Sequence, residues 1–118
     1  MNGEQKDFAV LGIGNALMDV INMLESDEVL VEFGLVRGSM TLVDTDLSRK
    51  IYETTRYNKR EMTTGGSAAN TIYSLASMGV ACGYLGKTGE DKLGGLFREA
   101  FEKKKIQVHL ARSEKDTG

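Results

Sequence analysis

From Met62 onward the spacing of apolar residues changes in a fixed rhythm, and that rhythm leaves few folds open. After Gly65 and Gly66, Ala68, Ile72, Leu75 and Ala76 recur at helical spacing, and Gly79 stands just past the end. This predicts a helix, with Ser67 placed to cap it. Ala81 to Leu85 is a short semi-apolar run that reads as a strand, and Gly86 to Asp91 reads as a turn. Leu93, Leu96, Phe97, Ala100 and Phe101 then form the stripe of a second helix, whose last turn carries Lys103, Lys104 and Lys105 at its carbonyl end. Ile106, Val108 and Leu110 alternate with polar neighbours, as in a half-buried strand. Strands and helices that alternate in this way build crossover units on a mostly parallel sheet, so the expected class is α/β rather than a helical bundle.

The first half is less regular. Phe8 to Leu11 reads as a strand that breaks at Gly12-Ile13-Gly14-Asn15, and Val20 to Leu24 and Met40 to Val43 as two further strands. Between them Ser26 can start a short helix through Phe33, ended by Gly34, and Asp44 or Asp46 can cap another that carries Leu47, Ile51 and Thr55. Residues 20–64 fit either an inserted lid or the edge of the domain. The chain has no proline, so its turns fall to glycine, asparagine, aspartate and serine.

Composition narrows the partners. With 118 residues, 41% of them hydrophobic, the chain can bury a core, and one domain is expected. A formal charge of −2 provides no field to draw nucleic acid or an anionic membrane, which leaves a small metabolite or a protein. The single cysteine, Cys82, reads as a small buried hydrophobe. The polar start has no apolar stretch behind it and no run is long enough to span a membrane, so a cytoplasmic location is the expectation.

Two glycine motifs bear on chemistry. Gly12 and Gly14 follow a strand, but Gly-Ile-Gly-Asn-Ala-Leu lacks the third glycine of a dinucleotide fingerprint, and Asp19 comes too soon to bind a ribose in that way. Asp19 nevertheless lies near a strand end where α/β folds place ligands; the alternative is that it only organises its own turn. Gly65-Gly66-Ser67-Ala68-Ala69-Asn70 allows close backbone approach at the first turn of a helix, whose free N–H groups suit an oxygen-rich ligand. It contains no lysine and is not a Walker A loop; the alternative is a capped, closely packed helix start.

Taken in order, Gly12-Ile13-Gly14-Asn15-Ala16-Leu17-Met18-Asp19, Gly65-Gly66-Ser67-Ala68-Ala69-Asn70 and Gly86-Lys87-Thr88-Gly89-Glu90-Asp91-Lys92-Leu93-Gly94 resemble the amino-terminal portion of ribokinase-like (PfkB) carbohydrate kinases, in particular their adenosine-kinase-like branch. The resemblance implies a Rossmann-like, mostly parallel sheet flanked by helices, incomplete here, with a small β-rich lid to which residues 20–64 contribute. It implies that Asp19 and Asn70 contact sugar hydroxyls, that Gly65 and Gly66 approach the sugar through their backbone, and that Met40 and Leu42 wall an apolar part of the substrate. A carboxylate that accepts and an amide that both donates and accepts suit a vicinal diol. Asn15 is expected to shape its turn.

The resemblance also implies ATP and Mg²⁺ as cofactors of a full-length protein and pairing of two copies through the lid. Two departures qualify it. Ser67 stands where ribokinase proper has lysine, which favours a nucleoside or general sugar kinase over free ribose. The family's late Gly-Ala-Gly-Asp motif, with the catalytic base, has no match, nor have the nucleotide- and magnesium-associated segments. No catalytic, cofactor-binding or metal residue is therefore assigned in this chain, and the isolated 118 residues are expected to be inactive. A non-enzymatic sugar or nucleoside binding module and a purely structural α/β protein are the alternatives.

Overall fold

A computed structural model describes residues 7–118. Strand β1 (Val10–Ile13), β4 (Cys82–Gly89) and β5 (Gln107–Ser113) form a parallel sheet in the order β1-β4-β5. Helix α3 (Ser67–Ser77) and helix α4 (Lys92–Lys103) supply the crossovers and pack on the face that carries Tyr84. The α/β class and the parallel sheet stand as expected from the sequence rhythm.

The core is aromatic. Tyr84, Phe97 and Phe101 are fully buried, with Phe97 stacked on Phe101 at 4.4 Å and Tyr84 edge-on to Phe101 at 5.2 Å between ring centroids. Such pairs add about 0.5–1.5 kcal/mol beyond the area they bury. Ala69, Ile72, Cys82 and Ile106 close the core around them. The Tyr84 ring fits because glycines surround it: a Cβ at Gly86 would lie 2.8 Å from Cε2, and one at Gly14 would lie 3.4 Å from the hydroxyl. That hydroxyl is buried and has no hydrogen-bond partner among the described residues, and burial raises its pKa above the ordinary phenol value.

Helix ends follow a common device. After α3 the chain turns at Gly79 (φ +90), with Gly79 N–H donating to Ala76 O and Val80 N–H to Leu75 O, the paired bonds of a Schellman motif. After α4 the same pair of bonds forms around Lys105, which takes φ +59, a left-handed conformation that costs a residue with a Cβ about 1–2 kcal/mol. Ile106 lands on the Phe101 turn and is buried, which offsets that cost.

Four sequence readings are corrected. Gly66, with φ +94, is the N-cap of α3 in place of Ser67, which becomes the first helical residue. Residues 86–89 continue β4 and are no turn, because β5 pairs with them through Gly86↔Leu110 to Gly89↔Ser113. The first strand runs from Val10 through Ile13, so its turn begins at Gly14. Residues 40–43 are irregular and form no strand.

Residues 20–62 form a second compact unit, to which strands β2 (Leu17–Asn22) and β3 (Arg60–Gly65), paired in a two-stranded sheet, lead in and out. It contains helix α1 (Glu28–Glu32), closed by a Schellman turn at Gly34, and helix α2 (Thr45–Thr54), capped by Asp44 through Leu47 N–H. Arg60 holds this unit together. Its guanidinium donates to Asn22 Oδ1 at 2.7 Å and to the Tyr52 carbonyl at 2.6 Å, and lies 4.0 Å over the Tyr52 ring. Among the described residues no helix is long and apolar enough to cross a membrane.

Candidate functional site

Asp19 and the glycine pair meet although the whole second unit separates them in sequence. Asp19 lies on β2 and is exposed; Gly65 ends β3 and is buried directly beside it. A Cβ at Gly65 would lie 2.7 Å from Asp19 Oδ1 and 2.8 Å from Oδ2, so only glycine leaves the carboxylate where it is. Nothing among the described residues hydrogen-bonds that carboxylate. Its accepting oxygens therefore remain available to hydroxyl donors.

Gly66 meets a different neighbour. A Cβ there would lie 2.7 Å from the backbone oxygen of Asn15, and the positive φ of Gly66 is itself unfavourable for other residues. Asn15 thus contributes its main chain to the turn, as expected. No side chain caps α3, so the N–H groups of its first turn are left free of intrahelical partners beside the Asp19 and Gly65 pair. Asn70 follows one turn into the helix and is exposed, its own N–H donating to Gly66 O at 2.8 Å.

The carboxylate, which the sequence placed near a strand end but which lies within β2, forms one cluster with two bare glycine backbones at the end of β3 and the start of α3. The other two residues singled out in the sequence belong to the second unit. Met40 and Leu42 sit on the irregular stretch of the second unit, 98% and 100% exposed. Met40, with Met23, Leu30, Val36 and Ile51, lines an open groove of about 690 Å³ that lies wholly within that unit. Among the described residues no group of three or more His, Cys, Asp or Glu side chains is placed to hold a metal ion, and no step is assigned to one here.

The sequence reading missed Thr117. This threonine is buried, and its hydroxyl donates to Asp91 Oδ1 at 2.5 Å while its N–H donates to Oδ2 at 2.8 Å. Asp91 also caps α4, accepting from Gly94 N–H at 2.9 Å. Burial pushes the Asp91 pKa up, but the bonds from Thr117, Gly94 and its own N–H outweigh it and hold the carboxyl below its ordinary value. The available signal was the glycine spacing around Asp91, which opens room for a passing backbone.

With this geometry in view, comparison with known proteins is decisive. The pattern of the pfkB family carbohydrate kinases matches residues 30–118. The chain belongs to this family. A 5-dehydro-2-deoxygluconokinase from Clostridium perfringens is 34% identical over 80 residues, covering 65% of this chain and 23% of that protein. Among solved structures, adenosine kinase from Sinorhizobium meliloti is 31% identical with a TM-score of 0.68, covering 90% of this chain and 32% of that one. Anopheles gambiae adenosine kinase superposes with a TM-score of 0.77 at 19% identity over 96% of this chain, a likeness of fold. The pfkB chain described here thus spans about a quarter to a third of the length of these relatives.

Proposed function

We propose that this chain is the substrate-binding part of a longer kinase that transfers the γ-phosphoryl group of ATP to a hydroxyl of a sugar or nucleoside. The observation that carries the reading is the Asp19 carboxylate seated against bare Gly65, beside Gly66 and the uncapped start of α3. Asp19 accepts from two neighbouring hydroxyls of the acceptor, and Asn70 adds an amide contact from α3. Gly65 and Gly66 let the sugar ring come close to the backbone. Met40 and Leu42 are assigned to an apolar part of the acceptor such as a base. Asp19 orients the acceptor; the catalytic base, ATP and Mg²⁺ are assigned to the remainder of the longer protein, where positioning and charge stabilisation would carry the transfer.

The acceptor is proposed to be a nucleoside or a similarly substituted sugar in preference to free ribose. Ser67, the first residue of α3, supports this, as does the name of the Sinorhizobium relative; the name of the Clostridium relative supports a sugar acid instead. The full-length protein incubated with Mg-ATP and a panel containing adenosine, ribose and 5-dehydro-2-deoxygluconate tests both points through ADP release. Substrate-dependent turnover with the highest kcat/KM for adenosine is the expected result. No turnover on any sugar or nucleoside, with binding retained, would replace the kinase by a binding module.

A further inference from the structure

The motif from Gly86 to Gly94 supplies no residue assigned to the proposed acceptor site, yet its glycines are tightly crowded by other atoms. A Cβ at Gly89 would lie 2.9 Å from Thr117 N, and one at Gly94 would lie 3.0 Å from Thr117 Oγ1. These glycines form a seat, and residues 115–117 lie in it. Asp91 closes the seat with both carboxylate oxygens on Thr117, while Gly89 N–H donates to Thr117 Oγ1 at 3.0 Å. The hydroxyl is thereby both a donor and an acceptor, and every atom of this clasp is matched.

The irregular segment held there, which follows β5, reaches β2. Met18 N–H donates to Gly118 O at 2.8 Å, and Gly118 lies against the Leu17 side chain, where a Cβ would intrude. Met18 is buried and immediately precedes Asp19. A path of hydrogen bonds joined by backbone therefore leads from the cap of α4, through Thr117 and Gly118, to Met18, the neighbour of Asp19 in β2. All of these residues belong to the same compact unit.

We infer that Asp91 and Thr117 are positioning residues for Asp19, fixing the β2 backbone so that its carboxylate stays over Gly65. This rests on the proposed acceptor role of Asp19, and it assigns a purpose to the Asp91 motif that capping alone does not require. A cap needs one oxygen; here the second holds Thr117. Misplacing a binding group by about 1 Å can cost up to about 10²-fold in rate, so a loosened clasp acts on acceptor capture before it acts on the fold.

The test uses the full-length protein carrying Thr117→Val, Thr117→Ser and Asp91→Ser. Serine at 91 retains a cap for α4 but lacks the second oxygen, so it keeps the test decisive where valine at 117 unfolds the turn. Expected are an increase of about tenfold in KM for adenosine, or for the best acceptor of the panel, in Thr117→Val and Asp91→Ser, the worth of about one hydrogen bond. The KM for ATP should be unchanged and Thr117→Ser should behave as wild type. In the ligand-free protein, amide exchange at Met18 should accelerate by about tenfold in the same two variants while Asn70, bonded to Gly66, stays protected. A lower melting temperature with acceptor KM and Met18 exchange unchanged, or acceleration of Met18 and Asn70 alike, overturns the inference. If the wild type phosphorylates nothing, the kinase reading falls and Met18 exchange alone decides this one.

Discussion

Replacing Gly65 by alanine separates a residue kept for folding from one kept for ligand capture. The new methyl group would stand 2.7–2.8 Å from both Asp19 oxygens and the carboxylate carbon, closer than a Cβ is ever found, so the Asp19 side chain must move. It can move at small cost to the fold, because it is exposed, bonds to nothing among the described residues, and Gly65 has no positive φ that alanine would strain. The expected loss of stability is therefore below about 1 kcal/mol, the range of ordinary surface changes. The proposed acceptor loses one charge-assisted hydrogen bond of about 1.5–3 kcal/mol, which lowers kcat/KM by about 10- to 150-fold. Gly66→Ala is the contrast. Its methyl would meet the Asn15 backbone oxygen at 2.7 Å and carry an unfavourable φ, so here the fold itself should weaken by about 1–3 kcal/mol. Thermal unfolding together with kcat/KM per folded molecule, measured on the full-length protein, distinguishes the two. If Gly65→Ala unfolds the protein as readily as Gly66→Ala, or leaves kcat/KM unchanged, the assignment of Gly65 to the site is wrong.

Three further outcomes are expected. Asp19→Asn should lower kcat/KM for the acceptor by more than about tenfold at an unchanged melting temperature, since it removes the charge and little else; equal kinetics would return Asp19 to a turn-forming role. Tyr84→Phe deletes a buried hydroxyl without a partner among the described residues and leaves the ring stack intact, so it should stabilise the protein by about 1 kcal/mol, seen as a higher midpoint in urea; a lower midpoint would show that the hydroxyl is satisfied. Because the folded state holds the Asp91 pKa below its ordinary value, Asp91 contributes stability above the unfolded pKa that is lost as pH falls through the folded one. Asp91→Asn should accordingly flatten the fall in stability below about pH 4 and leave the profile near neutrality parallel to the wild type.

The parallel sheet and the faces of its helices were legible in the sequence because Ile72, Phe97 and Phe101 recur at the period of an α-helix, and packing followed period. Residues 86–89 misled because glycine signals a turn locally, whereas here it marks a strand crowded by other backbone. Ser67 misled for the opposite reason. Its side chain is a good cap, but the positive φ that brings Gly66 against Asn15 fixed the helix start one residue earlier. Met40 to Val43 has the composition of a strand and found no neighbouring strand. At the site, Asp19, Gly65 and Gly66 were readable as types suited to a sugar, but the contact between Asp19 and Gly65 is a long-range fact that no local pattern contains. Thr117 was missed for the same reason, because the glycine spacing around Asp91 opens room for a backbone without saying which one fills it.

The pairing of β1 with β4 imposes an order of events on folding. Val10 lies opposite Cys82, so among the described residues the first strand meets its sheet partner β4 only after residues 14–81 have intervened. Contacts of such separation slow folding, because the loop between them must be closed before any pairing energy is returned. Here that loop contains residues 20–62, a unit with its own helices, Arg60 clamp and capped turns. If the unit condenses first, it draws its two ends together on β2 and β3 and shortens the loop left to close. Substitutions inside it, such as a change at Arg60, should then slow refolding while leaving the finished parallel sheet intact, so the inserted segment would act as a folding aid for the sheet whose strands flank it in sequence.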